Sequence, residues 1–335
     1  MEDLVILQTD LSGFRKLQIN ISFYNALGVD YVVIAPFEKL DDKEIGDLLA
    51  LNEFYQKHGL GLILSFDIKT LMANLLGESP SNIRFSDPKI RQGLYHFISY
   101  LIKHGIRGFD LGGLESLLDG GKSLVERVRE LNKNTFFNKG ILSIAEINQD
   151  KKPLLALSSP KLYSLSMVRR PGEIVDILGF SRDFSINEAG ISFTFENFPK
   201  SGINFDNYPI YAKRLVYMSL FFLKGSVFIN ESGLDFTDIK FLRKLFALKD
   251  KIQDLGKITK ILPKESDILA FVRSGPYKKI LFMANLTEKE VLVDLAYKVL
   301  DYKEYEFLAG SFSHRTLYRT ILLRPYEAVS FINCK

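Results

Sequence analysis

The spacing of apolar and polar residues changes once along this chain. Up to about residue 256, short apolar runs alternate with longer amphipathic stretches. The runs "LVIL" (4–7), "DYVVIAPF" (30–37), "LGLILSF" (60–66), "IRGFDL" (106–111), "GILSIAEI" (140–147), "KLYSLSM" (161–167), "GISFTFEN" (190–197) and "SVFIN" (226–230) are rich in β-branched and aromatic residues and read as strands. Between them lie helical patterns: 14–28, 43–59, 87–105, 117–132, 170–180, 207–225 and 235–256. Asp87-Pro88 is a helix start signal, and Gly59 and Gly105 are stop signals. Eight strand–helix units over some 250 residues predict a closed (β/α)8 barrel, an α/β fold with a parallel sheet covered by helices. No Gly-rich dinucleotide fingerprint follows the first strand, which argues against an open doubly wound sheet.

Beyond residue 256 the helical period disappears. Seven short strand-like runs follow, from "KITKILP" (257–263) to "EAVSFINC" (327–334), split by turn-prone residues. This predicts a small antiparallel β-sandwich over 257–335, after a barrel over 1–256.

Charge narrows the function classes. With 44 basic and 40 acidic residues interspersed, net charge is +4, and no basic stripe suggests a nucleic-acid partner. The single cysteine, Cys334, excludes an internal disulfide framework and Cys-based metal sites. The four histidines show no metal-ligand spacing, and no cofactor motif is present. His58 and His104 each precede a glycine at a predicted helix end, where they complement the helix dipole. The start of the chain does not read as a signal peptide, and the most apolar segment, 215–229, is interrupted by Lys224 and Gly225, too short to span a bilayer.

Seven segments, in order, resemble the α-amylase family of glycoside hydrolases, family 13: "LGVDYVVIAPF", "FYQKHGLGLIL", "LIKHGIRGFDL", "LSIAEI", "FTFENF", "LKGSVFINESGLDF" and "DILAFVRS…KKILFMANLT". The resemblance implies a barrel followed by a β-sandwich, and a retaining reaction between a carboxylate nucleophile and a protonated carboxyl group. In this register Glu146 takes the acid/base slot. The nucleophile slot falls on Gly112, and Asp110 stands where the family carries an arginine. Asn197 is kept, while Phe198 and Pro199 replace a histidine and an aspartate. The third-strand positions fall on Ser65, Lys69 and Thr70. The stretch 68–86 reads as a linker too short for the family's inserted domain.

With Gly112 empty, the expectation is a chain without glycosidase activity. The resemblance extends to the heavy chains of heteromeric amino-acid transporters, solute carrier family 3. That likeness implies a non-catalytic ectodomain on the extracellular face of the plasma membrane, supporting surface delivery and stability of a light-chain transporter. It also implies a basic surface near the membrane, with Lys151–Lys152, Arg169–Arg170 and Lys278–Lys279 as candidates. Asn20, Asn230 and Asn285 head glycosylation sequons. Two alternatives stand beside it. One is a soluble, cytoplasmic pseudo-glycosidase with a binding or regulatory role. The other is an active α-glucosidase-type hydrolase using Asp110 and Glu146. On the last reading Asp110 points to the same side as position 112 but about 6.6 Å deeper, among packed barrel residues. A buried carboxylate there needs a donor such as Lys69 or Arg107.

Overall fold

A computed structural model describes residues 4–9, 20–34, 42–65, 67–110, 142–146, 161–164, 191–194, 209–223, 227–230, 238–252, 254–262, 268–295 and 298–334. Eight parallel strands close into a barrel: β1 (Val5–Gln8), β2 (Tyr31–Ile34), β3 (Gly61–Ser65), β4 (Gly108–Asp110), β5 (Leu142–Glu146), β6 (Lys161–Ser164), β7 (Ile191–Thr194) and β8 (Val227–Asn230). Each pairs with the next, and β1 closes the ring by pairing with β8 from Val5↔Val227 to Gln8↔Asn230. Parallel strands need crossovers, and the described ones are helical. They include α1 (Ile21–Leu27), α2 (Asp42–Lys57), α3 (Ile68–Leu76), α4 (Pro88–Lys103) and α5 (Ile210–Phe222); α6 (Ile239–Phe246) and the single turn α7 (Lys249–Ile252) follow β8.

Local chemistry sets the helix bounds. Asp87 accepts the Lys89 backbone N–H and Pro88 occupies the first turn, which starts α4 as the Asp-Pro pair predicts. Beyond α2 and α4, Gly59 and Gly105 adopt φ of +76° and +92°. His58 and His104 Nδ1 each sit 2.8 Å from the carbonyl oxygen four residues back, on Phe54 and Tyr100, and so occupy the C-terminal ends as expected. The reading of 68–86 as a plain linker is corrected. Asp67 accepts the backbone N–H groups of Lys69 and Thr70, while Ile68, Leu71 and Met72 bury one face, so α3 forms there.

All seven strand-like runs after residue 256 are strands: β9 (Lys257–Lys260), β10 (Ile268–Ser274), β11 (Lys278–Asn285), β12 (Val291–Asp294), β13 (Glu306–Gly310), β14 (Thr320–Leu323) and β15 (Ala328–Cys334). Five of them form an antiparallel sheet in the order β13-β15-β11-β10-β9, and β12 pairs with β14. Leu281, Met283 and Phe331 from the larger sheet share one apolar core with Val293, Ile321 and Leu323 from the smaller. The alternate residues Phe271, Ile280 and Phe282 turn the other way and join the barrel's helical layer. There Phe282 packs on Phe222 of α5, ring centroids 5.4 Å apart. Arg273, 1% exposed, crosses the same junction. Its guanidinium donates to the Leu255 carbonyl at 2.8 Å and to the Phe222 and Leu223 carbonyls at 3.5 and 3.2 Å. The last two belong to the C-terminal end of α5, where orphan carbonyls and the helix dipole favour a cation.

Candidate active site

Strand register defines what faces the inside of the barrel. Ile6, Val33 and Ile63 form a small buried cluster with Leu4 and Tyr31 packed against it, which fixes the inward parity of β1 to β3. Following the paired residues around the ring, the inward position nearest each C-terminal strand end is Gln8, Val33, Ser65, Asp110, Glu146, Ser164, Thr194 or Asn230. Seven of these eight are polar. One layer below them on β1 to β3, the inward residues Ile6, Tyr31 and Ile63 are apolar. Barrel enzymes place their chemistry at the C-terminal ends of the strands.

Asp110 is the best-defined of these polar residues. Phe109 faces the helical layer and is fully buried, which turns Gly108 and Asp110 inward. At Gly108 a Cβ would lie 2.5 Å from the Leu62 carbonyl oxygen, so glycine lets β4 sit this close to β3. Asp110 pairs in register with Ser65, and the Ser65 hydroxyl donates to Asp110 Oδ2 at 2.9 Å. Ser65, a short hydroxyl level with the carboxylate, is thus one donor to Asp110, and the sequence did not single it out for that role. Asp110 is partly buried.

Glu146 ends β5. Asp110 is level with Ile144, so Glu146 stands two residues further toward the mouth, on the same parity. From strand rise and spacing, their Cα atoms are about 8 Å apart. Gly112, Asn197, Phe198 and Pro199 lie outside the described residues, as do Lys151–Lys152 and Arg169–Arg170.

Two other sequence readings change. Asn285 is completely buried, and its Nδ2, the atom a glycan needs, donates to the Lys289, Leu323 and Arg324 carbonyls. Its sequon is structural: Thr287 donates its hydroxyl and its N–H to Asn285 Oδ1. Asn230 pairs with Gln8 at the end of β8. Asn20 is half-buried at the start of α1. Lys278 and Lys279 do not form an uncompensated basic patch, since Lys279 bonds Asp301 at 2.8 Å and Lys278 lies 3.8 Å from Asp254. Among the described residues no helix is long and apolar enough to cross a membrane. The Ser65–Asp110 contact was missed from sequence. Its signal was that both residues lie near the end of a predicted strand, at positions the family resemblance had singled out.

No protein-family model and no curated protein sequence matches the chain. Solved structures do. The trehalose-6-phosphate hydrolase of Bacillus licheniformis superposes with a TM-score of 0.70 at 12% identity, over 99% of both chains. A MutB variant crystallised with sucrose gives 0.76 at 11% identity, again over 99% of both. An inactive MutB double mutant holding isomaltulose gives 0.75 at 10% identity, over 98% of this chain and 99% of that one. MutB is a trehalulose synthase. These likenesses correct the expectation of a non-enzyme, because along its whole length the chain has the shape of sugar-processing enzymes. The expectation had rested on Gly112 in the nucleophile slot, a position outside the described residues. The chain has the fold of the α-amylase-like glycoside hydrolases, a (β/α)8 barrel with a C-terminal antiparallel β-domain.

Proposed function

We propose that this protein is an enzyme acting on α-glucosidic bonds, with Glu146 as general acid and Asp110 as the second carboxylate. The observation that carries the reading is the Ser65 hydroxyl bond to Asp110, which orients a carboxylate at the rim of the barrel on the same parity as Glu146. In the reaction Glu146 protonates the leaving glycosidic oxygen as the bond to the anomeric carbon breaks. Asp110 sits one rim layer lower and takes the proton of a water that attacks the opposite face of the sugar. The proposed route is the inverting one, which works with carboxyl groups about 6.5–9.5 Å apart, and a retaining route would need about 5–5.5 Å. Sucrose, the substrate in one neighbour, and isomaltulose, bound in another, are the first candidates.

The test is turnover of 4-nitrophenyl α-glucoside, sucrose, trehalose, trehalose 6-phosphate and isomaltulose by the purified chain, with the product anomer followed by NMR. Turnover that disappears in both Glu146→Gln and Asp110→Asn supports the reading, and β-glucose as first product supports the inverting assignment. No turnover of any α-glucoside, or turnover that survives both substitutions, refutes it.

A further inference from the structure

One cleft lies outside the barrel, where α5 and α6 meet β13 and the residues after it. It measures about 740 Å3, and no barrel strand lines it. That size falls within the range of small-molecule sites. Its floor is apolar and fixed. Phe312 stacks on Tyr211 at 5.1 Å and carries the Arg324 guanidinium at 5.4 Å. Phe307 packs between His314 at 4.6 Å and Phe331 at 6.1 Å. Rings already held in place lose little freedom when a ligand arrives.

Charge in the cleft is one-sided. Asp238 is the only carboxylate among the described lining residues, and Arg214 takes both its oxygens, at 2.5 and 2.6 Å. That pair holds the Arg214 guanidinium's pKa above its ordinary value, chiefly through the hydrogen bond to Asp238. The same guanidinium donates to the Ser311 carbonyl and lies 4.9 Å from the centre of the Phe241 ring. Its charge is spent inside the wall. Lys240 and Lys244 remain, exposed and four residues apart on α6. At that spacing two side chains share one helix face, and like charges repel. Two ammonium groups over an aromatic floor match a compact dianion attached to a flat body. A lysine binds phosphate as a point charge, so two of them can bracket one phosphate group.

We propose that this cleft binds a small phosphate monoester whose ring-shaped body lies on the Phe307–Phe312 floor while Lys240 and Lys244 hold the phosphate. The site is independent of the barrel chemistry. The experiment is calorimetric titration of the full chain with glucose 6-phosphate and with adenosine 5′-monophosphate. Glucose, adenosine and inorganic phosphate serve as comparisons. One of the two esters is expected to bind at least about tenfold more tightly than its parent alcohol and than inorganic phosphate. Which ester does so tells a sugar body from a nucleoside body. Lys240→Gln and Lys244→Gln should each weaken it roughly tenfold, as loss of one charge-assisted bond does, without moving the melting point of the unliganded protein. Asp110→Asn should leave ester binding unchanged. The proposal is overturned if neither ester exceeds inorganic phosphate. It is equally overturned if the lysine substitutions leave binding intact, or if Asp110→Asn abolishes it.

Discussion

Replacing Arg273 with methionine tests how the barrel and the β-domain hold together. Methionine keeps most of the apolar stem and removes the guanidinium. Three buried carbonyls lose their donor: Leu255 at 2.8 Å, Leu223 at 3.2 Å and Phe222 at 3.5 Å. The third bond is at the geometric limit and counts for little. Two good bonds to a charged donor are worth about 1.5–3 kcal/mol each, so the cost should be roughly 3–6 kcal/mol. Part of it falls on α5, whose last carbonyls lose a cation at their negative end. An unfolding entropy of about 2.1 cal/mol/K per residue, over a chain of this length, turns that cost into a melting point lower by roughly 4–9 °C. Differential scanning calorimetry reads it directly. Arg273→Lys keeps the charge but cannot reach carbonyls in two directions, so it should recover only part of the loss. A methionine variant that melts within about 1 °C of the parent would show that the guanidinium contributes nothing net, and the account of the junction would fall.

Asp301 should control part of the acid limb of stability. Burial pushes its carboxyl upward, but bonds from Lys279 and its own backbone, the Lys279 charge and Asn333 outweigh this and hold it below the ordinary carboxylate value of 3.8. Its contribution is therefore complete above about pH 4 and lost as pH falls further. Asp301→Asn should cost about 0.5–1 kcal/mol at neutral pH, and the gap to the parent should close between pH 4 and pH 2; a constant gap in thermal melts across that range contradicts this. Asn285→Ala removes a buried amide with three carbonyl acceptors and should cost about 2–4 kcal/mol in denaturant unfolding. Mass spectrometry of protein from a glycosylating host should find Asn285 unmodified. Ser65→Ala frees the orientation of Asp110, so kcat on an active α-glucoside should fall about tenfold with KM little changed, and Ser65→Thr should restore much of it. Equal kcat in Ser65→Ala would remove Ser65 from the site.

Much of the fold was legible because it rests on local signals. Period-two apolar runs marked the strands, and Asp87-Pro88, Gly59 and Gly105 marked helix ends through their own backbone preferences. Residues 68–86 were misjudged because α3 is short. Its start depends on Asp67 folding back onto two N–H groups, a signal easily taken for loop polarity. The site was harder. Which residues faced inward followed from parity alone, but the level of one strand against the next did not. The partnership of Ser65 with Asp110 depends on that level. Matching β4 to a family motif put the nucleophile slot on Gly112 and left Asp110, two residues earlier, as an alternative. The Arg214–Asp238 pair and the cleft beside it join distant parts of the chain through packing, and nothing local announces them.

Pairing of β1 with β8 also has a consequence for biogenesis. Val5 finds its partner only when Val227 has been synthesised. Until then the growing sheet has two open edges, with β1 exposed along one side for most of translation. Loop closure over so long a separation is slow, and unpaired parallel strands are prone to associate with other chains. The β-domain repeats the problem, because its central strand β11 waits for β15 at the far end of the chain. Slowing translation near the codons for 227–230, or supplying a chaperone that shields strand edges, should therefore raise the yield of soluble protein more than the same measure applied early in the message.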